Sequence, residues 1–83
     1  AGLLVSAPGT AQKADDKIAP QSVELERQGK ALFVAGKLDE AEGFFETALA
    51  VDPRNRWAYV HIARVAERQR LFGKAIRMTN KAL

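Results

Sequence analysis

The 83-residue chain contains one histidine, His61, and no cysteine. Cys–His nucleophiles, disulfide frameworks and thiolate metal sites are therefore excluded. No group of His, Asp and Glu has the spacing of a metal-ligand set. The densest carboxylate cluster is Asp39, Glu40 and Glu42. It sits where a helix should open, so the carboxylates face the positive end of the helix dipole. Asp39 and Glu42 read as a D-x-x-E capping box, which accounts for the cluster better than acid–base chemistry does. Neither phosphate-loop nor dinucleotide-binding glycine spacing occurs. His61 titrates near neutral pH in principle, but alone it reads as a surface-lining or partly packed residue. These residues describe a chain that binds, with no cofactor and no catalytic or metal site.

Charge is unevenly spread along the chain. Residues 1–55 carry six Lys/Arg against nine Asp/Glu, a net of −3, while residues 56–83 carry seven against Glu67 alone, a net of +6. Such asymmetry points to an acidic partner or to association between copies. The hydrophobic share of 47% is that of an ordinary globular chain. No apolar run approaches the roughly 18 residues of a membrane span.

The elements follow from periodicity and breakers. Leu25, Gln28-Gly29 and Leu32 recur at helical spacing after Pro20 and Ser22, which suit a helix start. Gly36 ends that helix by supplying a positive φ. A second helix from Asp39 carries Ala41, Phe44/Phe45, Ala48 and Leu49, and stops at Asp52-Pro53. Gly43, inside it, predicts close approach of another backbone. Asn55 is a candidate cap for a third helix, Arg56 to about Gln69, bearing Tyr59, Ile62-Ala63 and Ala66. A fourth, from about Gly73, carries Ala75, Met78-Thr79 and Ala82-Leu83. Ala41, Ala48 and Leu49 thus reappear 34 residues later as Ala75, Ala82 and Leu83, and a fixed period of this kind marks a stacked repeat.

Residues 1–20 form a separate zone, read as a flexible linker or the remnant of a truncated export signal. Ala1 to Ala7 is small and apolar, Pro8-Gly9 breaks any regular element, and Gly9-Thr10-Ala11 has the small residues of a signal-peptidase site. The chain would be periplasmic or exported if residues 1–11 are a signal tail, and cytoplasmic otherwise.

At this point the chain resembles the tetratricopeptide repeat family. The 34-residue pattern W-x₂-L-G-x₂-Y, A-x₃-F, A, P is met by Leu25, Gly29, Leu32, Ala41, Phe45, Ala48 and Pro53, with Gln28 in place of the leucine. Repeat one spans 22–55. Repeat two, 56–83, is looser and incomplete: Tyr59, Ile62-Ala63 and Ala66 fit, while Arg70 replaces the turn glycine and Thr79 the phenylalanine. The resemblance implies an all-α domain over 21–83, about four helices in antiparallel hairpins stacked as a short right-handed α-solenoid.

It also implies a groove on the first helix of each repeat that holds a peptide. The ligand-binding residues would be Arg27, Lys30, Phe33, Val34, Trp57, Val60, His61, Arg64 and Arg68, with Val23, Glu26 and Glu67 beside them. Guanidinium groups next to aromatic side chains suit carboxylates and an apolar anchor. The carboxylate clamp known from some relatives fits poorly, because Glu26, Lys30 and His61 replace its lysine and asparagines. The expected function is a non-enzymatic protein–protein interaction module that takes an acidic or amphipathic peptide. The alternative is a self-assembly scaffold built by repeat stacking. Nucleic-acid binding through the basic second repeat ranks below both, since the strip lacks regular aromatic interleaving. Ala75, Ile76, Ala82 and Leu83 would lie uncovered at the end of the stack. Weak self-association or fold-back of Leu3-Leu4-Val5 would cover them.

Overall fold

A computed structural model describes residues 17–83, which form four α-helices and no strand. They are α1 Pro20–Val34, α2 Leu38–Val51, α3 Arg56–Arg68 and α4 Phe72–Ala82. The linker, export-signal and fold-back readings of residues 1–16 lie outside the described residues. α1 pairs with α2 and α3 with α4, while α3 also packs across the first hairpin. Among the described residues no helix is long and apolar enough to cross a membrane.

Both hairpins close with the same turn. In the first, Gly36 N–H donates to Phe33 O (3.0 Å) and Lys37 N–H to Leu32 O (2.9 Å). In the second, Arg70 N–H donates to Glu67 O (3.0 Å) and Leu71 N–H to Ala66 O (2.8 Å). This is the Schellman arrangement, and it requires a left-handed residue just past the helix. Gly36 takes φ 82° without strain, whereas Arg70 takes φ 65° against the steric preference of a residue with a Cβ.

The core gathers at the centre of the first hairpin. Ala41, Phe45 and Ala48 of α2 are buried with Ala58, Ile62 and Val65 of α3, and Leu25 and Leu32 of α1 pack against them. Gly29 is what lets α1 close on this cluster: a Cβ there would lie 2.5 Å from Cε1 of Phe45. A second, smaller cluster of Ala63, Ala66 and Ala75 holds α3 to α4, with Met78 alongside. The expectation that four residues lie uncovered at the end of the stack needs correction: Ala75, packed in this cluster, and Ala82 are buried, whereas Ile76 and Leu83 are exposed. Gly43 departs from expectation. It is exposed, and a Cβ there would meet nothing within 4 Å, so it marks no close approach.

Two predicted caps are also corrected. α2 begins at Leu38, one residue before Asp39, and no side chain caps its N-terminus. Asp39 instead accepts from Gln69 at 3.2 Å, and Glu42 pairs with Lys74 of α4. Asn55 precedes α3 as expected, but its side chain points inward. Its Nδ2 donates to Ser22 Oγ (3.0 Å), which donates to Ala48 O (2.6 Å), so a buried relay joins α1, α2 and the turn into α3. Asp52 completes the junction by accepting from Ala19 N–H (2.9 Å) and from the backbone and guanidinium of Arg54. Those donors stabilise the charged carboxylate and hold its pKa well below the usual range.

Candidate functional site

The face shared by α1 and α3 is built from positions near one period apart. Glu26 and His61 are separated by 35 residues, one more than the repeat, which makes them neighbours across the two helices. The His61 Nε2 lies 3.1 Å from Glu26 Oε2 and donates to it, and both side chains are largely buried. The imidazole also stacks on Phe45, with ring centroids 5.0 Å apart and planes inclined by 23°. His61 therefore links the surface strip directly to the core ring of the first hairpin. Burial lowers its pKa. Glu26 opposes that shift, while Arg64 and Lys30 add to it.

Phe33 and Arg68 form the second cross-helix contact, the guanidinium carbon lying 5.1 Å from the ring centroid. That is cation–π distance, and it fixes an aromatic ring under a cation at the surface. Lys30 and Arg64 flank the His61–Glu26 pair, close enough that both disfavour the imidazolium. Neither has an ion-pair partner among the described residues. Val60 is half-buried one residue before His61 and borders the cleft between α3 and α4.

Three of the expected site residues do not join this group. Arg27 is held by Glu24 on its own helix at 2.7 Å and is exposed. A helix advances roughly 100° per residue, so Arg27 lies on the far side of Glu26 from α3. Val34 is exposed at the end of α1. Trp57 is exposed at the start of α3 and borders a different hollow, lined by Ile18, Arg54 and Arg56. The structure therefore brings together Lys30, Phe33, His61, Arg64 and Arg68, with Val60 at the margin. Glu26 lies on the groove face, and its partner becomes visible only once the 35-residue separation is read as adjacency.

This arrangement sets Lys30, Arg64 and Arg68 beside the Phe33 ring on a helical-hairpin scaffold. Among the described residues no group of three or more His, Asp or Glu could hold a metal ion. The class is an all-α helical-hairpin scaffold. Residues 23–55 match the family model of the tetratricopeptide repeat, and the first hairpin is a repeat of that family. Such repeats are generally protein–protein interaction modules and typically non-catalytic. No curated protein and no solved structure matches the chain.

Proposed function

We propose that the chain is a non-enzymatic interaction module that holds an acidic or amphipathic segment of a partner protein along the α1–α3 face. Lys30 and Arg64 would grip carboxylates, and Phe33, covered by Arg68, would receive an apolar side chain between them. The observation that carries this reading is the pair of exposed cations, without ion-pair partners among the described residues, on either side of the His61–Glu26 bridge. Lys30, Arg64 and Arg68 outnumber the carboxylate of Glu26, so the face presents net positive charge where a peptide would lie.

A fluorescein-labelled peptide alternating Glu and Leu tests it by anisotropy. Each rim pair contributes at most about 1 kcal/mol, so Lys30→Glu and Arg64→Glu are combined. Binding should weaken as salt rises, and the double reversal should raise Kd about tenfold or more with helicity retained. Affinity unchanged by the reversal would refute the assignment. Equal affinity for a single-stranded oligonucleotide, with a steep salt slope, would point to phosphate binding instead.

A further inference from the structure

His61 is the only histidine of the chain, and three helices meet at its ring. It belongs to α3, its Nε2–H is spent on Glu26 of α1, and its face stacks on Phe45 of α2. The charged groups that bear on it are Glu26 and Lys30 from α1 and Arg64 from its own helix. α2 faces it with the uncharged ring of Phe45, and no charge of α4 acts on it. The other ring nitrogen, Nδ1, has no hydrogen-bond partner among the described residues. No buried side-chain nitrogen or oxygen among them lacks a partner, so Nδ1 keeps access to solvent. A proton from water can therefore enter at Nδ1 without breaking the bond to Glu26.

Lys30 and Arg64, the cations that would grip a partner's carboxylates, are also the two that repel an imidazolium at His61. Occupancy of the face and protonation beneath it thus act through the same charges. A carboxylate seated between Lys30 and Arg64 offsets their repulsion and adds its own attraction, which favours the charged ring. The opposing effect, loss of hydration, is small, because the His61 side chain is already only 12% exposed before a peptide covers it. We infer that binding of an acidic segment to the α1–α3 face takes up a proton at His61 Nδ1, so that mild acid tightens the complex. This rests on the function proposed for that face and adds its regulation. The imidazolium keeps Glu26 as its partner and joins Lys30 and Arg64 as a cation beneath the peptide.

The sign follows from linkage. In the free chain, burial and the two cations hold the His61 pKa below its ordinary value. A bound carboxylate raises it, so affinity grows as pH falls through the bound value and levels off below the free one. With a single histidine, the imidazole Hε1 resonance reads this without ambiguity. The full chain is followed by NMR from about pH 8 to about pH 5, free and saturated with the unlabelled Glu/Leu peptide, above the range where glutamate itself titrates. Amide shifts at each pH supply Kd. The Hε1 midpoint should rise by about 0.5–1 pH unit on saturation, and Kd should fall about three- to tenfold across the range. His61→Gln retains a donor for Glu26 but does not titrate, so its Kd should lose that dependence. A midpoint unmoved or lowered by a peptide that binds, or the same pH dependence in His61→Gln, would overturn the linkage and leave the binding face standing. No peptide-induced amide shift at either end of the range would refute the face itself, and the linkage with it.

Discussion

The two hairpins share a turn and a helix spacing but are filled differently. In the first, Gly29 makes room for the ring of Phe45. In the second the same two positions are Ala63 and Thr79, so a smaller pair meets where glycine and phenylalanine met. The large residues of α3, Ile62 and Val65, face the first hairpin, leaving the second with alanines and Met78. The second hairpin also closes on Arg70 in a left-handed conformation that Gly36 adopts freely. Repeat geometry can therefore be kept by small contacts and turn hydrogen bonds, while stability is concentrated in one repeat. The second hairpin depends on the first.

Removing the ring should break the comparison most severely. Phe45→Ala deletes the largest fully buried side chain and should cost about 3–5 kcal/mol, so that both hairpins melt together or fail to form. Loss of the first hairpin's helicity alone in a thermal melt would show the second to be independent. Gly29→Ala comes next. It gains helix propensity but drives a Cβ into Phe45, and overpacking of this kind should cost about 1–3 kcal/mol in a urea titration. Ala63→Gly in the second hairpin lacks that steric element and should lose only about 1 kcal/mol, the propensity difference.

The turns offer a matched pair of smaller effects with opposite sign. Gly36→Ala should destabilise by about 1 kcal/mol, and Arg70→Gly should stabilise by a similar amount, because only glycine takes the left-handed conformation without a steric penalty. Equal and like-signed effects would show that the two turns are not equivalent.

Acid sensitivity is the mildest test and separates the surface bridge from the junction. His61 has a depressed pKa when folded, so the unfolded chain binds more protons and stability falls as pH drops below about 6.5. Asp52 is depressed as well, and its contribution is present above about pH 4 and lost as pH falls further. In urea melts across that range, His61→Gln should remove the upper part of the decline and leave the lower part intact.

Period and breakers made the fold legible. The helix pairing, the Gly36 turn and the burial of Phe45 all follow from spacing within one repeat. Partners that lie across repeats were less visible. Asp39 and Glu42 have the local pattern of a cap, yet Gln69 and Lys74 from the second hairpin take them instead. Asn55 looks like a cap until Ser22 offers a buried hydroxyl. Arg27 shares a broad helix face with Lys30, but a further rotation of roughly 60° hands it to Glu24. Spacing fixes which way a side chain leaves its own helix. Which group meets it depends on how the hairpins are stacked.

The central claim is that the α1–α3 face is the binding surface. Backbone amide shifts of the nitrogen-15-labelled chain, followed by NMR during titration with the Glu/Leu peptide, test it most directly. The account predicts the largest saturable shifts at Lys30, Phe33, His61, Arg64 and Arg68, with Arg27 and Val34 little changed. Shifts confined to Ala75, Ile76 and Thr79 in the α3–α4 cleft, or none that saturate, would contradict it.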